Sequence, residues 1–198
     1  MSADWNIEAV ADFNGDGKQD LLIKNEAGVV SVWEMDGGTA SNKGYTATLR
    51  DGWEIEAVAD LTGDGKADIL VRNGNGVVSA WEMDGSTATA QTYTGTLGSG
   101  WSIHSVTDFN GDGSADLLVS NGTAVSIWEM DAGGTSEKAF VGNLQDGWTL
   151  GQVKDFNGDG KADIQIASET TGQVSIWEMD GANITRAGLT GNLWTDLV

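Results

Sequence analysis

Four short segments of the chain place acidic and amide side chains at alternating positions, a spacing that suits a hard metal ion. Each has the pattern Asp-x-(Asn/Thr)-x-Asp-Gly-x-x-Asp. Ca²⁺ takes about six to eight oxygen ligands, and positions 1, 3, 5 and 9 supply side-chain oxygens. Position 7 offers its backbone carbonyl where it is lysine, since an ammonium group is not a ligand. The predicted ligands are Asp12, Asn14, Asp16, Lys18 and Asp20; Asp60, Thr62, Asp64, Lys66 and Asp68; Asp108, Asn110, Asp112, Ser114 and Asp116; and Asp155, Asn157, Asp159, Lys161 and Asp163.

Metal-free turns and EF-hands are the alternative interpretations of these loops. Clustered Asp and Asn side chains can form Asx-turns with their own backbone, but twelve loop carboxylates would repel one another without a cation. An EF-hand needs Glu at position 12 and flanking helices, whereas Ile23 stands there in the first loop. Mg²⁺ is a poor fit because it prefers rigid octahedral sites and keeps several waters. We therefore predict about four Ca²⁺ per chain, with the second site weakest because Thr62 replaces Asn.

The composition excludes several classes of partner. Thirty acidic against ten basic residues give a net charge of −20, which repels nucleic acids and anionic membranes. The chain has no cysteine for disulfides or zinc thiolate sites, and no apolar window long enough to span a membrane. The segment Met1–Asp4 shows neither a basic nor an apolar region, so no signal peptide is recognised.

Tryptophan spacing shows that the chain is built from repeats. One series falls at intervals of 48, 48, 47 and 46 residues, and a second at 48, 47 and 49. Periods of about 40–50 residues with repeated strands are typical of propeller blades. We predict one repeat domain over 1–198, with blades at about 5–52, 53–100, 101–147 and 148–193. Residues 194–198 are predicted to start a fifth unit. The two series are Trp5, Trp53, Trp101, Trp148 and Trp194, and Trp33, Trp81, Trp128 and Trp177.

Each repeat contains four apolar or β-branched segments and no helical period. In the second repeat the predicted strands are 53–61, 69–71, 77–83 and 93–97. The fold class is therefore all-β, and we expect a β-propeller of four four-stranded blades. The alternative is half of a larger ring, or of an eight-bladed ring made by two chains. We expect a monomer rather than a homodimer, since a half-ring would expose apolar faces.

The loop pattern after a two-sided apolar strand resembles FG-GAP/VCBS-type repeats, the calcium-loop blades of integrin α-subunits and many bacterial extracellular proteins. The resemblance implies a structural role for calcium, the same ligand positions, and an extracellular or cell-surface location. It further implies a binding, adhesion or display scaffold with a protein or glycan ligand. The alternatives are a carbohydrate-binding lectin, as in some fungal proteins with similar blades, and a non-catalytic module of a secreted enzyme. The family's Phe-Gly…Gly-Ala-Pro signature is absent, since the chain has no proline.

An enzymatic role is not predicted. Four glutamates follow the second tryptophan series, and two carboxylates could hydrolyse glycosides, but their presence in every repeat favours a role on the strand surface. The single histidine, His104, occupies a position that is Glu8 and Glu56 in the first two repeats, which indicates an ordinary rim residue. The second tryptophan series is predicted to pack in the core rather than to stack on sugars. The four glutamates are Glu34, Glu82, Glu129 and Glu178.

Overall fold

The computed structural model describes residues 4–193 and contains four antiparallel sheets of four strands each. The strands of each sheet are adjacent in chain order, so every sheet is a simple meander. Within 4–193 there is no helix that could cross a membrane. The prediction of an all-β chain with four four-stranded blades is thus confirmed. The predicted start of a fifth unit, at 194–198, lies outside the described residues.

The sixteen strands recur with nearly constant lengths. Blade 1 comprises β1 (Trp5–Ala11), β2 (Asp20–Asn25), β3 (Val29–Asp36) and β4 (Thr39–Thr48). Blade 2 comprises β5 (Trp53–Ala59), β6 (Asp68–Asn73), β7 (Val77–Asp84) and β8 (Thr87–Thr96). Blade 3 comprises β9 (Ser102–Thr107), β10 (Asp116–Ser120), β11 (Ala124–Asp131) and β12 (Gly134–Asn143). Blade 4 comprises β13 (Trp148–Lys154), β14 (Asp163–Ser168), β15 (Gln173–Asp180) and β16 (Asn183–Asn192).

The chain forms two compact units. Unit 1 runs to Ser99 and includes the turn Asp131–Gly134, so it contains blades 1 and 2. Unit 2 comprises Gly100–Met130 and the chain from Thr135 onward, so it contains blade 4 and the rest of blade 3.

Two strand boundaries differ from those predicted. The first strand of blade 2 ends at Ala59 rather than Leu61, because the Leu61 N–H turns into the loop and bonds Asp68 at 2.9 Å. The fourth strand begins at Thr87 rather than Tyr93, directly after a tight turn from β7. Its first half, Thr-Ala-Thr-Ala-Gln, alternates between exposed and half-buried positions but has no large apolar side chain, so the strand signal there is weak.

The core of each unit lies between two facing sheets. In unit 1, Phe13, Leu22 and Val32 of blade 1 pack with Ile69 and Trp81 of blade 2. Successive residues on a strand point to opposite faces, so the central strands β2 and β6 are apolar on both sides. Burying one such side chain contributes about 1.5–3 kcal/mol. This packing holds the loops at one end of each sheet in fixed positions.

Candidate metal loops and interblade pockets

Each Asp-rich loop joins the first two strands of its blade, and it turns sharply at two glycines. Positions 4 and 6 have positive φ in all four copies; in the first copy Gly15 has φ 75° and Gly17 has φ 82°. Residues with a Cβ rarely adopt this region. The tight turn brings the loop N–H groups back toward the first Asp of the loop.

The Asp at position 1 organises the backbone of its own loop. Asp12 accepts N–H bonds from Gly15 and Gly17, each at 2.7 Å and on separate carboxylate oxygens. Asp155 in the fourth loop accepts the same two bonds at 2.6 and 2.9 Å. These backbone N–H groups hold the pKa of Asp155 below its ordinary value. The Asx-type bonding considered from the sequence is therefore present in the structure.

The Asp at position 9 joins the loop to the third strand. Asp20 is fully buried and accepts N–H bonds from Phe13 at 3.0 Å and from Met35 at 2.8 Å. The same two bonds recur in the other three loops at 2.9 or 3.0 Å. The sequence predicts a metal-binding role for this Asp, but it does not show that the carboxylate also joins the loop to the third strand. The available signal was an Asp in all four repeats immediately before a buried strand.

Positions 3, 5 and 7 complete the loop. Asn14 accepts the Asp16 N–H at 2.9 Å, and Asp16 accepts the Lys18 N–H at 2.8 Å. The Lys18 ammonium lies 3.4 Å from Asp16 and 3.3 Å from Asp36, which begins the β3–β4 turn. Two of the other loops bridge to the equivalent turn with their own lysine. The lysine side chain thus supplies a partial counter-charge on the outside of the loop.

The carboxylates of one loop repel each other. Burial raises the pKa of Asp68 to about 6 and that of Asp116 to about 7, from an ordinary 3.8. The negative charges at positions 1 and 5 of the same loop contribute to these raised pKa values, while two N–H bonds to each carboxylate oppose the rise. A divalent cation at the loop would relieve this repulsion.

The donor chemistry of the loops fits calcium, although the side chains are not arranged around an ion. Residues 4–193 contain no group of three or more acidic or histidine side chains spaced as a metal cluster. A carboxylate oxygen that accepts one N–H bond still has a second lone pair. Positions 1, 3 and 5 could therefore turn oxygen atoms to a cation while keeping their backbone bonds. Binding would need a local movement of these side chains.

Unit 1 also contains an aromatic pocket between its two blades. The pocket has a volume of 400 Å³, and Trp53, Trp81 and Tyr93 of blade 2 form one side. Arg50 and Thr48 of blade 1 form part of the other side. The Tyr93 ring is 64 % exposed, so it stands at the mouth. The pocket therefore combines aromatic surface with a polar rim.

Unit 2 repeats this pocket at the equivalent residues. Its volume is 350 Å³, and Trp148 and Trp177 stand where the first pocket has Trp53 and Trp81. Leu189 takes the place of Tyr93, and Gln145 takes the place of Arg50. The tryptophan walls are thus common to both pockets, while the rims differ.

The second tryptophan series has a double role. Trp81 and Trp128 are buried, each 7 % exposed, while Trp33 and Trp177 are half-buried. Core packing was predicted, and it describes the two buried members. Trp81 also lines the pocket, which the sequence could not reveal because the pocket needs a second blade.

The repeated glutamates and the histidine do not form a common site. Glu34 accepts the Ser86 N–H at 3.1 Å, and Glu178 bonds Arg186 at 3.0 Å. His104 is exposed, with Nε2 3.1 Å from the Gly151 carbonyl.

Four-stranded meander sheets with an Asp-rich loop between their first two strands define a β-propeller repeat protein. The sequence matches the FG-GAP-like repeat in three overlapping copies, at residues 12–71, 60–119 and 108–166. The chain belongs to this FG-GAP-like repeat family. A search of curated proteins found no sequence relative.

Solved structures share the fold at low sequence identity. A lectin of Agrocybe aegerita, described as recognising non-reducing terminal N-acetylglucosamine, is 20 % identical with a TM-score of 0.72. The match covers 92 % of this chain and 51 % of the lectin, so the chain spans about half the length of that protein. The Photorhabdus luminescens Tc holotoxin pore is 17 % identical with a TM-score of 0.60, over 81 % of this chain and 8 % of that one.

Proposed function

We propose that this chain is a non-catalytic, carbohydrate-binding propeller module whose loops hold structural calcium, and that it acts outside the cell or at the cell surface. The observation that carries the proposal is the recurrence of one pocket in both units, with two tryptophans at equivalent positions. A pocket that recurs with its aromatic walls intact suits a ligand that presents the same small unit many times. Glycans are such ligands.

The chemistry of the pocket suits a sugar ring. The apolar face of a pyranose packs on aromatic surface, while its hydroxyls need hydrogen-bonding partners at the edge. Trp53, Trp81 and Tyr93 supply that surface in unit 1, and Arg50 and Gln91 supply side-chain donors. Ligand sites are typically concave and largely apolar with a few polar groups that orient the ligand. The likeness to a lectin with specificity for N-acetylglucosamine makes this sugar the first ligand to test.

Calcium is proposed to stabilise the fold rather than to contact a bound sugar. The loops lie at strand connections, and their own N–H bonds already shape them. An ion that binds only the folded state adds about RT ln(1 + [Ca]/Kd), which is about 2.7 kcal/mol per site at 100-fold excess. Extracellular calcium sites work at about 10⁻⁴–10⁻³ M, which agrees with the proposed location.

Sugar binding can be tested by titrating N-acetylglucosamine while following tryptophan fluorescence and NMR shifts. Tyr93→Ala should weaken binding at the unit 1 pocket, because it removes an exposed aromatic wall without disturbing the core. Leu189→Tyr should strengthen binding at the unit 2 pocket, because it installs the same wall there. Arg186→Ala, outside both pockets, is the control. If neither pocket variant changes binding, or if no simple sugar binds, the carbohydrate proposal is wrong.

Calcium binding can be tested separately by native mass spectrometry and thermal melting. We expect up to four bound ions per chain and a higher melting temperature in millimolar calcium than in EDTA. Magnesium at the same concentration should have little effect, since it needs rigid octahedral sites. Equal melting temperatures in calcium and EDTA would refute the calcium proposal and leave the sugar proposal standing.

A further inference from the structure

We propose that blade 4 binds blade 1 of a second copy of this chain through the same kind of interface that joins blades inside each unit. The trailing face of a blade is the sheet face that packs on the next blade along the chain, and the leading face is its opposite. The two faces in this proposal are the trailing face of blade 4 and the leading face of blade 1.

Unit 1 shows what such an interface contains. The trailing face of blade 1 buries Phe13 completely against the leading face of blade 2. Several hydrogen bonds cross the interface at its edge, and three of them come from backbone N–H groups of blade 2. The Ala67 N–H bonds the carbonyl of Asp12 at 2.7 Å, and the Gly85 N–H bonds that of Phe13 at 2.8 Å. The Ser86 N–H bonds the Glu34 carboxylate at 3.1 Å.

Unit 2 repeats the buried phenylalanine and these three bonds at the equivalent residues. Phe109 is 0 % exposed, and the Gly181 N–H bonds its carbonyl at 2.8 Å. The Ala162 N–H bonds the Asp108 carbonyl at 2.9 Å. The Ala182 N–H bonds the Glu129 carboxylate at 3.3 Å. Two independent copies therefore define the same set of apolar contacts and edge bonds.

The trailing face of blade 4 has the equivalent apolar residues, but they are exposed. Phe156, the equivalent of Phe13 and Phe109, is 46 % exposed. Leu193 is 53 % exposed, whereas its equivalents Leu49 and Leu144 are each 6 % exposed. This face is therefore an apolar surface whose counterparts elsewhere in the chain are covered by another blade.

The leading face of blade 1 is exposed in the same way. Ile7 is 64 % exposed and Val10 is 55 % exposed, while their equivalents in blades 2 and 4 pack against the cores. Met35 is half-buried, whereas the three equivalent methionines are 2 % exposed or less. Gly37 is exposed, while the equivalent Gly85 is buried. The donors that would meet blade 4 are thus at the surface.

The two faces also share a departure from the repeat. Gln165 stands on the trailing face of blade 4, where the other repeats have leucine, and Gln19 stands at the edge of the leading face of blade 1, where they have alanine. Interfaces between separate proteins are more polar than cores. Both glutamines suit faces that are solvated in the free chain and buried when two chains bind.

The geometry favours a second copy as the occupant, because blade 1 presents the matching leading face in exposed form. The N–H groups of Gln19, Gly37 and Gly38 correspond to the three edge donors described in unit 1. Their acceptors on blade 4 would be the carbonyls of Asp155 and Phe156 and the Glu178 carboxylate. Two chains that bind each other in this way bury two identical interfaces, as a closed head-to-tail pair does. The charge of −20 on each chain opposes association, so salt and calcium should strengthen it.

The test is the mass of the 198-residue chain in millimolar calcium, by native mass spectrometry and analytical ultracentrifugation over a dilution series. We expect a particle of twice 20.7 kDa, in place of the monomer expected from the sequence, because the two apolar faces are exposed in the structure. Phe156→Lys and Ile7→Lys should each weaken the dimer more than about 100-fold, since each places a charge in an apolar interface. Gln165→Leu should tighten it by about tenfold, because it restores the apolar side chain of the other repeats. Phe140→Lys, on an exposed aromatic of blade 3, is the matched control and should not change the mass.

Mixing the two lysine variants gives the sharpest result. Phe156→Lys keeps an intact leading face on blade 1, and Ile7→Lys keeps an intact trailing face on blade 4. Together they can form one complete interface, so a mixed dimer should appear where neither variant dimerises alone. A monomeric wild-type chain, whether its faces are solvated or closed on each other, would overturn the proposal. A dimer that survives both lysine variants would overturn it equally.

Discussion

The Glu34 carboxylate accepts the backbone N–H of Ser86 at 3.1 Å, so a side chain of blade 1 caps a turn of blade 2. The same carboxylate also accepts the Asn42 side-chain amide at 2.9 Å. A Cβ at Gly85 would clash with this carboxylate, so a larger residue there would displace the Glu34 side chain from the turn. In unit 2, Glu129 caps Ala182 in the same manner. The glutamate of the Trp-Glu-Met motif thus links neighbouring sheets by a hydrogen bond.

Glu34→Ala should destabilise the protein by about 1–3 kcal/mol, since hydrogen bonds to charged groups contribute this much and the turn N–H loses its partner. Glu56→Ala is the control, because its exposed carboxylate lies 3.7 Å from the Arg72 guanidinium and should contribute less than about 1 kcal/mol. Urea denaturation of both variants measures the difference. Similar losses of unfolding free energy in the two variants would show that the hydrogen bond between blades stabilises the protein no more than a surface ion pair does.

Asp68 and Asp64 should separate the structural and metal-binding roles of one loop. Asp68 is buried and accepts N–H bonds from Leu61 and Met83, so Asp68→Ala should cost about 2–5 kcal/mol even without calcium. Asp64 is exposed, so Asp64→Ala should cost under about 1 kcal/mol without calcium but should remove the stabilisation that one ion provides. Denaturation with and without calcium tests both statements. An Asp64 variant that retains its full response to calcium would contradict the ligand assignment.

The four loops should bind calcium independently, because each is closed by its own hydrogen bonds. Asp112→Ala and Asp64→Ala should each remove one ion, as counted by native mass spectrometry, and leave the other three. Thr62→Asn should increase the affinity of the second loop, because an amide oxygen replaces a hydroxyl at position 3. An unchanged affinity in calorimetry would show that position 3 does not set the order of the sites.

Calcium-stripped protein should become less stable as the pH rises from about 4 to about 7. Burial raises the pKa of Asp68 to about 6 and that of Asp116 to about 7. The native state therefore binds protons in a range where the unfolded chain, with a pKa near 3.8, has released them. Such a group contributes stability below the unfolded pKa and loses it as the pH rises through the folded pKa.

Urea midpoints at several pH values measure this loss. Asp116→Asn, which cannot ionise, should flatten the upper part of the profile. Asp12 and Asp155, whose pKa values are lowered, act in the opposite direction at lower pH. A profile that rises steadily through this range would contradict the expectation.

The sequence predicts the repeated elements well because each is marked locally. The apolar strand at Ile69–Val71 and the Asp-Gly turn after Met83 carry their signal within a few residues. Only the second half of the outer strand was predicted, since Thr87–Gln91 has only small and polar side chains and its pairing with β7 comes from the hairpin.

Features formed by two blades could not be predicted from one repeat. Nothing near Glu34 in the sequence indicates that its partner is Ser86, 52 residues away. The pocket wall at Trp53 likewise depends on Arg50 and Leu49 of the preceding blade. The position-9 carboxylate was recognised as important, but its two N–H partners are 7 and 15 residues away and became visible only in the folded loop.

Each pocket lies across two adjacent blades, so the proposed sugar binding and the proposed pairing of chains would form a linked equilibrium. Trp33 and Tyr45 are the blade 1 equivalents of Trp81 and Tyr93, so blade 1 carries one side of a pocket that a docked blade 4 would complete. A ligand in such a shared pocket would bind the paired state more tightly, and it would therefore strengthen pairing by the same factor by which pairing strengthens its own binding. Pairing would also raise the number of sites per particle more than twofold, and avidity for a surface that repeats its glycan would increase steeply.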